Sequence, residues 1–155
     1  MLIDSHAHLD APYFRDRLPA VLDRAKKAGV ERIITIGVTP SSSRNCIKIA
    51  EKYPLVFAAA GYHPHWADGS DSDRLAQAER LAGEPSVVAL GEIGLDYYRK
   101  FGSRDAQIEL FIRQLEIAHR VGYPVIIHNR EAGSDVLDIL RDKLPEQGGV
   151  LHCYS

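Results

Sequence analysis

Apolar stretches of strand length alternate along this chain with segments whose apolar positions recur every three or four residues. The stretch Ser86 to Leu90 is short and continuous, which predicts a strand buried on both faces. Leu18 to Ala28 shows the helical spacing instead, as does Ile108 to Ala118. The predicted strands are Met1 to Leu9, Glu31 to Val38, Leu55 to Gly61, Ser86 to Leu90, Pro124 to His128 and Val150 to His152.

Small polar residues mark the starts of the predicted helices between these strands. Ser41 to Ser43 can cap a helix that runs to Tyr53, and Asp71 to Asp73 can cap one that stops near Gly83. Ser103 can cap the longest helix, which Gly122 ends, and a last amphipathic helix covers Ser134 to Leu144. Strands that alternate with helices predict an α/β fold, a parallel sheet covered by helices with right-handed crossovers.

A carboxylate, Glu92, follows the fourth predicted strand. Its neighbours Gly91 and Gly94 predict close backbone approach and an abrupt exit from the strand into a loop. Taken alone, such a residue is either a surface charge at a strand end or a ligand directed into a site.

Histidines stand at the carboxyl ends of other predicted strands, and this favours the second interpretation of Glu92. His6 and His8 are two residues apart on the first strand, so both imidazoles point to the same side. The third strand leads into His63 to His65, and two later strands end in His128 and His152. Because the carboxyl ends of parallel strands share one edge, where such folds bind ligands, we expect these histidines to converge on Glu92.

Imidazole and carboxylate donors without a thiolate suit a divalent ion such as zinc or manganese. The two oxygens of one glutamate can bridge two ions, whereas a neutral imidazole serves one. Two ions about 4 Å apart would polarise a phosphoryl or carbonyl oxygen and hold a hydroxide nucleophile.

Composition narrows the class of protein. The chain has 155 residues without an internal linker or repeat, so we expect residues 1–155 to form one domain. Two cysteines are too few for a disulfide framework, no apolar run approaches a membrane span, and the start lacks a signal pattern, so we expect a cytoplasmic location and no membrane partner. The formal net charge of −2 gives no overall attraction to nucleic acid, so local cations and metal ions would have to hold an anionic substrate.

Five ordered motifs carry a resemblance to a known family. They are His6 to His8, Gly61 to His65, Gly91 to Tyr97, Ile127 to Arg130 and His152 to Ser155. In this order and context they resemble the TatD family of metal-dependent deoxyribonucleases, within the amidohydrolase-like superfamily. A single H-x-H is a weak signal, whereas five ordered motifs on successive strands are specific, and the resemblance covers essentially the whole chain.

The resemblance implies a TIM-barrel-type sheet with two divalent ions, zinc, manganese or magnesium. It implies a hydrolase that cleaves DNA phosphodiester bonds by a metal-bound hydroxide. It also implies the residue roles: His6 and His8 would hold one ion, His128 and His152 the other, Glu92 would bridge them in catalysis, and His63 would lie near the scissile phosphate.

The chain departs from the family pattern at its end. Six of the eight strand–helix units of such a barrel are present, and no aspartate follows His152, where the family has its last metal ligand. We therefore expect open sheet edges at the first and sixth strands, and either self-association through these edges or dependence on a longer natural chain. The chain is then either a catalyst or a non-catalytic metal-binding remnant that lacks the closing aspartate.

The substrate leaves further alternatives. The wider superfamily implies that a small amide, ester or lactone could replace DNA, since fold alone does not determine function. Tyr97, Tyr98, Arg99 and Lys100 form either a solvated loop or a surface that contacts phosphate and stacks on unpaired bases, which would suit DNA that is single-stranded or bound at an end. Arg130 is either a phosphate clamp or part of a structural salt bridge, and His63, Tyr98 and Arg130 are the candidate substrate-binding residues.

Overall fold

The computed structural model describes residues 1–69, 72–99 and 101–153. Asp71, Lys100, Tyr154 and Ser155, which enter the predictions above, lie outside this range. The strands are β1 (Leu2–Ala7), β2 (Val30–Ile36), β3 (Val56–Ala60), β4 (Val87–Asp96), β5 (Val125–Arg130) and β6 (Gly149–His152). The helices are α1 (Leu18–Lys27), α2 (Pro40–Lys52), α3 (Ser72–Ala82), α4 (Arg104–Val121) and α5 (Gly133–Lys143), with 3₁₀ turns at Pro12–Phe14 and Pro64–Trp66.

The six strands form one parallel sheet in the order in which they occur along the chain. The sheet is curled, since its two outer strands meet at one point: the ring of His6 on β1 stacks on that of His152 on β6, with 3.6 Å between the centroids. The predicted α/β, TIM-barrel-type sheet with covering helices is confirmed.

Helix ends agree with the sequence prediction where a cap is local. The hydroxyl of Ser103 accepts a hydrogen bond from the backbone N–H of Ala106 at 3.1 Å and begins α4. Gly122 ends α4 in the left-handed conformation at φ 70°, as predicted. At α2 the prediction was wrong by two residues, since the cap is Thr39, whose hydroxyl accepts from the N–H of Ser42.

The position of Glu92 on β4 differs from the prediction. The strand does not stop at Glu92 but continues to Asp96, so Glu92 lies within it. The reason is Gly94, which has φ 129° and pairs with His128 on β5 so closely that an added Cβ would clash with the His128 carbonyl oxygen. The glycine allows β4 and β5 to approach each other, rather than ending the strand.

The apolar core lies largely between the sheet and its helices. One cluster packs α4, through Phe111 and Leu115, against Leu90 and Val125 of the sheet. A second cluster brings the α1 and α2 side chains onto β2 and β3. This packing holds the backbone of the strands, whose carboxyl ends carry the histidines. Among the described helices none is long and apolar enough to cross a membrane.

Candidate metal centre

Glu92 lies at the centre of a cluster of imidazoles. Its side chain is buried, with 2% of its surface exposed. Five histidine nitrogens come within 4 Å of its two oxygens. They are His128 Nδ1 at 2.8 Å, His6 Nε2 at 3.6 Å, His8 Nε2 at 3.8 Å, and His63 Nε2 and His152 Nε2 at 3.9 Å. The structure thus brings together the carboxylate and the histidines that the sequence singled out.

His6, His8 and Glu92 form one group with the geometry of a cation site. The two Nε2 atoms are 3.3 Å apart, and each is 3.6 or 3.8 Å from the same oxygen of Glu92. A cation at the centre of this triangle would lie about 2.1 Å from all three atoms, the usual zinc–nitrogen distance. The facing nitrogens and the shared carboxylate oxygen therefore fit a divalent ion.

A second group joins the other oxygen of Glu92 to His63 and His128. Here a hydrogen bond of 2.8 Å links His128 Nδ1 to Glu92 Oε1, and His63 Nε2 lies 3.9 Å from the same oxygen. Of these atoms, the His128 nitrogen and the Glu92 oxygen suit the same class of ion. Glu92 belongs to both groups, through one oxygen in each.

His152 approaches the cluster from β6. Its ring lies nearly parallel to that of His6, at 9°, and its Nε2 atom faces Glu92. Burial, together with the neighbouring His6, lowers the pKa of His152, so its imidazole is neutral near neutral pH and able to bind a cation. The ring centroids of His152 and His128 are 6.0 Å apart, and their sharing of one ion remains a prediction.

Asp96 is a residue of the site that the sequence analysis missed. It is 1% exposed and lies 2.9 Å from His65 Nε2 and 3.1 Å from His128 Nε2. Gln107 holds its backbone through a pair of hydrogen bonds. Because Asp96 engages the far nitrogen of His128, it orients that ring towards Glu92, as carboxylates behind metal-binding histidines do. Strand alternation was the available signal, since Glu92, Gly94 and Asp96 share one parity.

Charges within the cluster are strongly coupled. Burial disfavours the Glu92 carboxylate, but hydrogen bonds from His128 and His6 outweigh it and hold the pKa of Glu92 below its usual range. Burial likewise disfavours a charged His128, yet Glu92 and Asp96 raise the pKa of that imidazole. The two carboxylates therefore favour positive charge at the position between them, whether on the His128 ring or on a bound cation.

His63 differs from the other histidines in how its ring is held. Its Nδ1 atom accepts a hydrogen bond from the backbone N–H of His65 at 3.2 Å. Burial lowers the pKa of His63 to about 3, so the ring is neutral and its single proton resides on Nε2. A protonated nitrogen cannot ligate a cation, but it can donate a hydrogen bond to an anionic oxygen.

Arg130 and Tyr98 form a pair beside the cluster. The guanidinium carbon of Arg130 lies 3.9 Å from the centroid of the Tyr98 ring, and 52% of Tyr98 is exposed. Arg130 is only two residues beyond His128 on β5. A cation and an exposed aromatic face thus adjoin the candidate metal ligands, an arrangement suited to a phosphate with a neighbouring base.

Comparison with known proteins places this site in context. A family model described as TatD related DNase matches residues 3–155. The chain is 39% identical over 156 residues to a Bacillus subtilis (strain 168) protein named uncharacterized metal-dependent hydrolase YabD, covering 100% of this chain and 61% of that protein. It is 36% identical over 158 residues to the 3′-5′ ssDNA/RNA exonuclease TatD of Edwardsiella piscicida, covering 99% of this chain and 60% of the relative.

A solved structure agrees with these sequence relatives. The crystal structure of YJJV, a TatD homologue from Escherichia coli K12, superposes with a TM-score of 0.89 at 32% identity. The match covers 99% of this chain and 60% of that chain. The chain therefore spans about 60% of the length of the proteins that it resembles.

Proposed function

The chain belongs to the family of TatD related DNases, and from that premise we propose that it is a metal-dependent nuclease that hydrolyses phosphodiester bonds of DNA. The observation that carries the proposal is the buried Glu92 with five imidazoles around it at the carboxyl edge of the sheet. Relatives named 3′-5′ ssDNA/RNA exonucleases support a single-stranded substrate that is attacked from an end.

In this proposal the chain holds two divalent ions, zinc, manganese or magnesium. His6, His8 and Glu92 would hold one, while Glu92 would share the second with His128 and His152. The ions supply the positive charge that polarises a phosphoryl oxygen and acidifies a water. Glu92 contributes a fixed negative charge to both sites, and Asp96 keeps the ring of His128 in place.

His63 takes the substrate role rather than a ligand role. The proton on Nε2 faces the cluster, and among the described residues it makes no hydrogen bond to Glu92 Oε1, which is 3.9 Å from Nε2. A phosphate oxygen bound between the ions and this N–H would receive a hydrogen bond. This donor is neutral and fixed in direction by the backbone of His65, so it needs no reorganisation during reaction.

Arg130 and Tyr98 would bind the part of the strand next to the cleaved bond. Arg130 can donate two parallel hydrogen bonds to a phosphate, and the exposed face of Tyr98 can stack on an unpaired base. Because both contacts ignore base identity, we expect little sequence preference.

The test is cleavage of an end-labelled single-stranded oligonucleotide by the purified chain with each metal in turn. We expect nucleotide release that EDTA abolishes and that the Glu92→Gln variant lacks. The same preparation is offered a panel of small esters, lactones and amides. Hydrolysis of those compounds without release from DNA would refute the proposed substrate. Metal binding without turnover of any of them would refute the proposed activity and leave a metal-binding protein.

We also propose that the chain self-associates through β1 and β6, each of which pairs with one strand in the described sheet. Large apolar side chains on these two strands are exposed, a pattern that favours burial against a second copy. They are Leu2 (55%), Ile3 (46%), Val150 (46%) and Leu151 (40%). Light scattering should give a mass above that of one chain, and Ile3→Lys with Val150→Lys should reduce it. A wild-type protein that scatters as a monomer would refute this.

A further inference from the structure

A cavity of about 370 Å³ lies outside the metal centre, between the segment that follows β1 and one face of α2. Its apolar walls are Leu9, Leu18 and Ile49, the first two of them buried. Tyr53 adds an aromatic ring. This α1–α2 pocket is within the size range of small-ligand sites, and its polar groups indicate which kind of ligand suits it.

Three cations line the α1–α2 pocket: Arg15, Lys48 and Lys52. Within the described residues, the ion pairs formed by Arg and Lys side chains involve other positions and include none of these three. Lys48 and Lys52 are four residues apart on α2, where two like charges repel each other on adjacent turns. Lys52 Nζ lies 5.4 Å from the centroid of the Tyr53 ring, but no described carboxylate forms an ion pair with either lysine, and this suits an anionic ligand.

The pocket has one carboxylate among its described lining residues, and that group already has a partner. Asp10 accepts a hydrogen bond from the hydroxyl of Ser42 at 2.6 Å. Three cations against one carboxylate leave a local charge of +2, in a chain whose formal net charge is −2. The positive charge is therefore concentrated at this pocket against the overall balance of the molecule.

The pocket is continuous with the metal centre along the backbone. Leu9 and Asp10 line it and directly follow His8, whose Nε2 atom faces Glu92. Consecutive Cα atoms are about 3.8 Å apart, so Asp10 is at most about 8 Å from His8. Lys48 and Lys52 lie further along α2, about 12 and 18 Å from its first residue at 1.5 Å per residue, so a strand held at Glu92 would follow this helix for several nucleotides to reach them.

We propose that the α1–α2 pocket is a second nucleic-acid subsite, which binds the backbone of single-stranded DNA several nucleotides away from the cleaved bond. Arg15, Lys48 and Lys52 pair with the phosphates, and a base lies against the apolar wall beside Tyr53. The proposal rests on the proposed nuclease function. It adds a length requirement, since only a strand long enough to span both places gains the second set of contacts.

The test measures binding, without catalysis. A fluorescent oligothymidylate of about 12 nucleotides is titrated with the full chain in EDTA, and its anisotropy is followed at several salt concentrations. The variant is Lys48→Gln with Lys52→Gln. The matched control is Arg24→Gln with Lys26→Gln, which removes the same charge from exposed positions on α1 that form no ion pair among the described residues. Circular dichroism checks that both proteins fold.

We expect the pocket variant to bind about tenfold more weakly at low salt, and the control to bind as the wild type does. Loss of two phosphate contacts should also flatten the slope of log K against log salt by about 1.4, at about 0.7 per contact for a single strand. An unchanged affinity and slope in the pocket variant would overturn the proposal, as would equal weakening in the control. So would a wild type that fails to bind without metal.

Two further results separate this proposal from its premise and from a rival ligand. Weakened binding by the pocket variant, in a protein that never cleaves DNA, keeps the subsite and refutes the nuclease. If the wild type cleaves DNA but the pocket variant binds as tightly as the wild type, the nuclease function stands and the subsite is refuted. If the mononucleotide dTMP displaces the oligonucleotide with the same affinity per site, the pocket is a nucleotide site and not part of a strand path, and the proposal is wrong.

Discussion

Replacing Glu92 by glutamine should remove most of the bound metal. The amide keeps the shape of the side chain but loses its charge and one of the two oxygens that face the His6–His8 pair and His128. Loss of a residue that hydrogen-bonds to a metal ligand typically weakens metal binding by about 10–100-fold, and loss of the ligand itself weakens it further. We therefore expect a loss above about 100-fold, or about 2.7 kcal/mol, for each ion, because Glu92 belongs to both groups.

The assay is elemental analysis of protein dialysed against buffered zinc or manganese, with isothermal titration to give affinities. Glu79→Gln is the matched control, since Glu79 pairs with Arg120 on the surface at 2.9 Å, away from the cluster. It should keep the wild-type metal content. If Glu92→Gln shows native circular dichroism and an unchanged metal content, Glu92 is not a shared ligand and the assignment of the centre is wrong.

Three further predictions address individual residues. His63→Ala should keep metal stoichiometry while DNA turnover falls at least about tenfold; loss of metal would instead make His63 a ligand. Burial raises the pKa of Cys46 to about 12, so its thiol stays protonated near pH 8. In the folded chain Cys153 alone should therefore react with Ellman's reagent, and both thiols should react once urea unfolds the protein. Two rapidly reacting thiols in the folded chain would contradict this. Gly94→Ala should lower the free energy of unfolding by about 3 kcal/mol or more. Gly122 also has a positive φ, but an added Cβ would meet no atom there, so Gly122→Ala should lower it by only about 1 kcal/mol. Equal losses in urea denaturation would refute the close approach of β4 and β5 at Gly94.

Features that depend on neighbours in sequence were predicted well. Ser103 and Gly122 delimit α4 as expected, because a cap hydroxyl and a left-handed glycine act on the adjacent turn. The parallel sheet covered by helices followed from the alternation of predicted strands and helices. The predicted cap of α2 was wrong because Thr39 and three serines, all suitable caps, lie within five positions. Of these residues only Thr39 has the extended backbone that a cap requires.

The extent of β4 could not be predicted. Close backbone approach at Gly94 is confirmed, but the predicted strand exit there is wrong, since the sequence does not show that β5 continues beside β4. That error in turn concealed Asp96, which a longer β4 places on the same side as Glu92. The convergence of the histidines needed no such detail, because parallel strand ends share an edge. The distribution of His63 and His152 between substrate and metal depends on ring orientation, which no sequence pattern encodes.

The stacking of His6 on His152 has a consequence for how the molecule is made. Each strand pairs with the next along the chain, so each pairing can form soon after its second strand leaves the ribosome. The sheet can thus grow in the direction of synthesis, one strand and helix at a time. The cluster cannot, because it joins a residue of β1 to a residue of β6. The first five strands could therefore pair before His152 reaches His6, and this contact would form only after β6 has been made.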